Sequence, residues 1–523
     1  MKEHLRTFVG VMLAPMMIAL TNPSCSNANT PLTITPNSLD ALTCEAYDLQ
    51  ASGASGAVTW SVDPTGEGFG TIQGSGHYSA PMVVPKEPFD IVARSDGSEG
   101  RINVSMHTAH PMEVGHASLV VHDVEQRAVA VSGSRVYAAA LDANNAVKLA
   151  RSDDGGRTFG AAVVVGDMPA GVRVGCVSVA IDAGNPDVVY VTYQAMDNGG
   201  AFAKTTDVDS MSAGSTIALA VSEDKGASFT NYVLVSQNNE GYCTDIASPT
   251  ADTVSLIVPT DDGDIGTGDD LHVYTYVDSN RGKGFSSGKI EPMAAYRVDQ
   301  QYTPFLMQPI KKISSTGGTD GLESPSLFTN HKNKLCAVYW TDNQTLPHSY
   351  PIQVECSSDA GKTFDTPVTI FDTATKGDGS IIPLRPRGAL SDDGTFAVIW
   401  AESELNVFVS TSPDGMTWSE PMQLNTLALN GAKVKGHHPT ITWHNGTLWI
   451  AYQVDSGGAD DAIVVDKSCD GGHTWSGNQI INESNAAILD RKYPALHLSV
   501  AGPLVSAHTA SEDADLVFTS LTP

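Results

Sequence analysis

The stretch "SDDGGRTF", residues 152–159, returns as "SSDAGKTF" at 357–364 and as "SCDGGHTW" at 468–475. Its chemistry is that of a tight turn. Ser and Asp side chains bond nearby backbone N–H groups, Gly supplies a positive φ, and the closing aromatic gives the turn something to bury. Looser copies read "SEDKGASF" at 222–229, "DSNRGKGF" at 278–285 and "TSPDGMTW" at 411–418, the last with its Asp one place late. The six starts are 70, 56, 79, 54 and 57 residues apart. Recurrence on that scale marks a repeat architecture in which each period is one supersecondary unit.

What flanks the octet defines the unit. Before it run alternating or apolar stretches such as "NAVKLAR", "TIALAV", "IQVEC", "NVFVS" and "AIVVDK", and after it "AAVVVG", "NYVLVS" and "TPVTIFD". Both patterns are those of strands, so the octet joins a hairpin. Further upstream, "RAVAVSGSRVYAAA", "PSLFTNHKNKLCAVYW", "RGALSDDGTFAVIW" and "PTITWHNGTLWIAY" each give strand, Gly/Asn/Asp turn, strand. One unit is therefore four short antiparallel strands, which is the blade of a β-propeller.

The pattern S-x-D-x-G-x-T-[FW] resembles the Asp-box, or bacterial neuraminidase (BNR) repeat, of the sialidase superfamily of propellers. The resemblance spans about residues 115 to 523, roughly four-fifths of the chain. It implies that the boxes lie on the blade periphery, away from the central pocket, so they speak for fold and not for activity.

The chain ends set the blade count. The tail "YPALHLSVAGPLVSAHTASEDADLVFTSLTP" supplies three strands of a last blade and lacks a fourth, while "HASLVVHD", residues 116–123, precedes the first unit without a hairpin partner. Pairing the two closes the ring and removes exposed edges. The expectation is a seven-bladed propeller, with six blades as the alternative.

Composition agrees with turn-rich β structure: 48 Gly and 28 Pro in 523 residues, and a formal charge of −29. That charge argues against nucleic-acid or anionic-membrane binding, since both use basic patches. The start "MKEHLRTFVGVMLAPMMIAL" reads as an export signal, basic and then apolar but too short and Pro-broken for a membrane span. Cleavage after Ala28 gives a secreted protein, and a lipid on Cys25 a cell-surface one; the residues before Cys25 make a poor lipobox. Residues 29–110 hold short strands between Gly, Pro and Asp turns, with Trp60 as core anchor, and read as a β-sandwich. Their run Gly76, Tyr78, Ala80, Pro81, Val84, Pro85 resembles bacterial Ig-like domains. Residues 111–523 form the propeller.

Of seven cysteines, Cys336 and Cys356 fall on neighbouring strands of one blade, and Cys176 and Cys243 near inner strands of adjacent blades. Cys44 and Cys469 have no evident partner. No Cys/His metal spacing occurs and no metal site is assigned, although the acidic loop Asp261–Asp270 has oxygen ligands suited to Ca²⁺ without the full D-x-D-x-D-G pattern. No other cofactor is implied.

Function has to come from the central pocket, where the starts of the innermost strands converge. Those starts carry Arg127, Asp245, Glu323, Arg385 with Arg387, His437 with His438, and Arg491 with Tyr493. Convergent guanidinium groups hold carboxylates through bidentate bonds. The convergence of these strand starts also puts His438 in the ligand pocket, and the resemblance to sialidases implies Arg127, Arg387 and Arg491 on a carboxylate, Tyr493 as nucleophile, Glu323 as its base and Asp245 as acid. This chain departs from the family pattern at Gln126-Arg127-Ala128-Val129, where the family has Phe/Tyr-Arg-Ile-Pro. Two readings stand: a propeller recognising an extracellular glycan or glycoconjugate, and an exo-sialidase-like glycoside hydrolase. No G-x-S-x-G elbow or P-loop is present, and the sequence is silent on oligomeric state.

Overall fold

The structure is a computed structural model. It describes residues 32–107, 112–117, 129–197, 215–234, 244–260, 270–277, 291–292, 311–315, 325–341, 349–373, 382–481 and 483–521, apart from stretches of one to six residues within these spans. The fold is all-β, and the chain divides into two compact units. One comprises Met1–Ala41, Glu45–Pro81 and Pro85–Met106; the other comprises His107–Pro523 with Leu42–Cys44 and Met82–Val84. Two short pieces of the earlier sequence thus group with the second unit.

In the first unit, strands Leu39–Leu42, Ser98–His107, Phe89–Ser95 and Thr59–Asp63 pair in that order, and Ala46–Asp48, His77–Ser79 and Thr71–Ile72 form a second sheet. Period-2 patterning builds its core. Along Ser98–His107, Gly100, Ile102 and Val104 are buried, while Glu99, Arg101 and Asn103 face water. Tyr78 is the fully buried anchor, its hydroxyl donating to the Phe69 carbonyl at 2.9 Å. Trp60, expected to anchor the core, is only partly buried beside it.

The described residues of the second unit form seven antiparallel meander sheets of four or five strands, numbered here in chain order, and two small two-stranded ribbons. Their first strands are Val129–Ser132, Val172–Ile181, Asp245–Ala247, Ser326–Thr329, Pro383–Leu390, Lys435–His444 and Arg491–Ser499. Each of these touches the first strand of the next sheet, and the seventh touches that of the first. Second strands are the most buried and mostly apolar: every residue of Phe396–Glu402 is buried. Seven apolar clusters fill the seven junctions, from Leu149 with Val191 between sheets 1 and 2 to Ala138 with Phe518 between sheets 1 and 7.

Sheet 7 takes its outermost strand from the other end of the chain. Met112–Ala117 pairs antiparallel with Leu516–Ser520, Met112 opposite Ser520 and Ala117 opposite Leu516. The closing strand was expected at 116–123. It begins four residues earlier, bends at a bulge between Glu113 and Gly115, and 118–123 lie outside the described residues. Either way the edge strand of the last sheet is covered.

The octets are fasteners between sheets. In the first, Ser152 Oγ accepts the Gly156 N–H at 2.9 Å, and Asp154 accepts the Thr158 N–H at 2.8 Å and its hydroxyl at 2.6 Å. The same bonds recur at Ser222/Asp224, Ser357/Asp359 and Ser468/Asp470. At 411–418 the turn is one residue shorter, and Ser412 with Asp414 makes the equivalent set. Asp278–Phe285 lies outside the described residues. Each closing aromatic packs on a junction with the preceding sheet, Phe159 stacking on Phe518 of sheet 7 with ring centroids 4.9 Å apart. Gly472, at φ 92°, shows why glycine is required: a Cβ there would come within 2.7 Å of Thr411.

Two disulfides are defined. Cys336 and Cys356 are directly opposed on adjacent strands of sheet 4. Cys44 bonds Cys469, so the two cysteines left without partners by the sequence reading pair with each other across 425 residues. Cys176 is also disulfide-bonded.

Candidate functional site

Four first strands break their register in the same way. In sheet 2, Gly175 pairs with Gln194 and Ser178 with Thr192, leaving Cys176 and Val177 opposite the single residue Tyr193. Sheet 5 sets Arg385 and Pro386 against Trp400, sheet 6 sets His438 and Pro439 against Tyr452, and sheet 7 sets Tyr493 and Pro494 against Ala507. Each is a β-bulge, two residues opposing one, which bends the strand and re-aims a side chain. Cys176, Arg385 and His438 have φ of 50°, 52° and 45°, left-handed conformations rare outside glycine. Such strain concentrates at binding sites because the surrounding sheet has to hold it in place.

The sequence carries this device as X-Pro. Proline has no N–H, so inside a sheet it fits only where a ladder bond is already missing, and Pro386, Pro439 and Pro494 each occupy the second place of a bulge. Arg385, His438 and Tyr493 therefore hold one equivalent backbone position on three successive sheets. Their first strands, Pro383–Leu390, Lys435–His444 and Arg491–Ser499, are neighbours in that order.

The residues singled out from the sequence are not all in register. Arg387 comes just after its bulge and Arg491 two residues before the bulged Tyr493, while Asp245 lies on the first strand of sheet 3, whose described residues pair without a bulge. Arg387 is buried, and its guanidinium donates to the Pro386 carbonyl at 2.9 Å. Arg385, half-buried at the bulge itself, is the arginine on the same level as His438. Asp245, expected as an acid, is buried with its oxygens engaged: Oδ1 accepts from Ser178 Oγ at 3.2 Å and from its own strand's Ile246 N–H at 3.0 Å, and Oδ2 accepts the Leu327 N–H at 2.8 Å. It ties the first strands of sheets 2, 3 and 4 together, because three donors on adjacent strands point at one carboxylate. Arg127 and Glu323 lie outside the described residues.

Electrostatics follow from the packing. Burial, reinforced by the positive charge of Arg385 and by His437 and Arg387, pulls the His438 imidazole down to about 2, so it is neutral across the physiological range. The His437 and His438 ring centroids are 6.4 Å apart. Arg385 and Arg387 place two guanidinium groups on one strand of a chain whose formal charge is −29. Among the described residues no group of three or more His, Cys, Asp or Glu could hold a metal ion, and only Asp270 of the acidic loop Asp261–Asp270 falls among them. No described helix is long and apolar enough to cross a membrane.

No protein-family model matches the chain, and no curated protein matches it by sequence. Among solved structures it is similar to a Hadza microbial sialidase, 12% identical, covering 85% of this chain and 75% of that one, with a TM-score of 0.40. It is likewise similar to the α-L-arabinofuranosidase Arb93A from Fusarium graminearum, 13% identical over 65% of this chain and 91% of that one, TM-score 0.41. A PL25 ulvan lyase structure is 10% identical over 79% and 96%, TM-score 0.48. At these levels of likeness the chemistry of the site rests on this chain's own residues.

Proposed function

We propose that the seven sheets are the blades of a sialidase-like β-propeller closed by Met112–Ala117, that the first unit is an Ig-like module, and that the protein recognises an acidic extracellular glycan where the bulged strands meet. One observation carries the reading: Arg385, His438 and Tyr493 occupy one equivalent bulge position on three neighbouring strands, left-handed at Arg385 and His438, with Arg387 close behind. A guanidinium fork selects planar anions such as a sugar carboxylate. A neutral imidazole beside it donates or accepts hydrogen bonds to hydroxyl groups without adding charge. The two cystines support this reading, since disulfides persist in oxidising compartments such as the one an extracellular ligand occupies.

A second reading has one observation of its own. Tyr493 shares its level with Arg385 and His438, the place a sialidase-type nucleophile needs, with Glu323 as its base and Arg127 and Arg491 completing the carboxylate clamp. Asp245 is left out of that scheme because its carboxylate already serves three donors. A fluorogenic sialoside separates the readings. A hydrolase turns it over and loses turnover, not affinity, in Tyr493→Phe, whereas a recognition protein binds acidic glycans on an array and releases no product.

A further inference from the structure

The two defined disulfides pose different problems to a folding chain. Cys336 and Cys356 are 20 residues apart and directly opposed in one hairpin, so closing that hairpin brings the thiols together. Cys44 and Cys469 are separated by 425 residues, and Cys176, Cys243, Cys336 and Cys356 all lie between them. Loop closure grows rarer as about the three-halves power of length, so in an unfolded chain Cys44 meets Cys176 about six times as often as Cys469.

The native frame, by contrast, is built for the long link. Lys467 is buried and its Nζ donates to the Thr43 carbonyl at 2.9 Å, while the Thr43 N–H donates to the His107 carbonyl at 3.0 Å. Cys44 sits at φ 67°, a conformation that an unfolded chain rarely visits at a non-glycine residue. The Lys467–Thr43 contact exists only once sheet 6 has formed. The correct pair is thus favoured late, and the wrong pairs early.

We infer that the Cys44–Cys469 bond is reached by disulfide exchange, and that a thiol–disulfide isomerase of the exporting compartment is the partner that supplies this exchange during the protein's maturation. An oxidant of the disulfide class first takes two electrons and two protons from a pair of thiols, and for Cys44 the kinetically favoured product is a bond to an intervening cysteine. The isomerase thiolate attacks that bond and expels the intervening cysteine as thiolate, leaving a mixed disulfide with Cys44. The Cys469 thiolate then displaces the isomerase, which leaves with its thiol restored. The exchange is redox-neutral.

The test is oxidative refolding of the full reduced chain, with disulfides mapped by mass spectrometry of unreduced peptides. Oxidised glutathione alone should leave most Cys44 in wrong pairs. Adding reduced glutathione or a purified disulfide isomerase should raise the Cys44–Cys469 fraction at least threefold while the Cys336–Cys356 fraction stays unchanged. The double variant Cys44→Ser, Cys469→Ser should refold equally with or without the thiol. Equal Cys44–Cys469 yields with oxidant alone, or a double variant that still depends on the thiol, would overturn the inference. Where the chain fails to refold, the same mapping on protein exported from cells with and without their isomerase decides it: loss of the Cys44–Cys469 pair alone supports the inference, and an unchanged pair refutes it.

Discussion

The octet turns at the rim and the bulges at the centre are both repeats, and they conserve opposite things. At the rim the residues are repeated: Ser, Asp, Gly and a closing aromatic, because each side chain makes a particular bond or contact that no other residue type supplies. At the centre the backbone is repeated and the residues vary: Cys176, Arg385, His438 and Tyr493 share one bulge position and no chemistry. A part whose task is to hold the fold keeps its letters. A part that keeps its geometry and changes its letters is what the proposed ligand site calls for.

Asp245 is the sharpest test of that division, since it lies near the centre yet works as a fastener. Asp245→Ala should destabilise the protein by about 3 kcal/mol, because three donors lose their acceptor in a buried place. Chemical denaturation reads this directly. A cost under about 1 kcal/mol accompanied by lost ligand binding would return Asp245 to the site.

A rim octet should cost somewhat less. Asp359→Ala removes the acceptor of the Thr363 amide at 2.8 Å and of its hydroxyl at 2.7 Å, and should cost about 2 kcal/mol with ligand affinity unchanged. The same change at Asp470 should behave alike, as the bonds are the same. Rim variants that abolish binding at full stability would break the comparison.

Acid should separate the two regions by pH. His438 is held far below its ordinary 6.5, by burial first and then by Arg385. Its folded state refuses a proton that the unfolded chain accepts, so its contribution is complete above about pH 6.5 and is lost as pH falls below it. By pH 5 the loss should be about 1 to 2 kcal/mol. At the rim, burial alone would push Asp154 and Asp359 up, but hydrogen bonds from Thr158 and Thr363 and from the octet serines outweigh it and hold both at about 2. That stability is complete above pH 4 and lost between there and pH 2, about 1 kcal/mol per octet after allowing for solvent screening. Replacing His438 by Asn should remove the upper step and leave the lower one; melting temperatures between pH 7 and 3 would show both.

How much of this was legible in the sequence follows the same division. The octets announced themselves because their chemistry fixes the letters, and with them came the four-strand unit and the closure between the chain ends. The closing strand was misplaced by four residues because a stretch such as "HASLVVHD" is as apolar as the one that pairs, and register depends on a partner far away in sequence. The Cys44–Cys469 bond was invisible for the same reason. At the centre, Arg387 stood out because it lies in the same short run as Arg385, yet only strand register shows that Arg385 shares the bulge with His438. The available signal was the proline after it, repeated in "RPR", "HHP" and "KYP".

The smallest stability effect belongs to Arg385 and carries the largest consequence for function. Arg385→Ala should cost less stability than either carboxylate variant, as a half-buried side chain that belongs to none of the apolar junction clusters. Reading the intact protein and this variant side by side on an array of sialylated, uronate-bearing and neutral glycans tests the central claim most directly. The account predicts that the intact protein retains acidic glycans and that Arg385→Ala loses them at least tenfold with its melting temperature unchanged. Binding confined to neutral glycans, or acidic glycans held equally by both proteins, would contradict it.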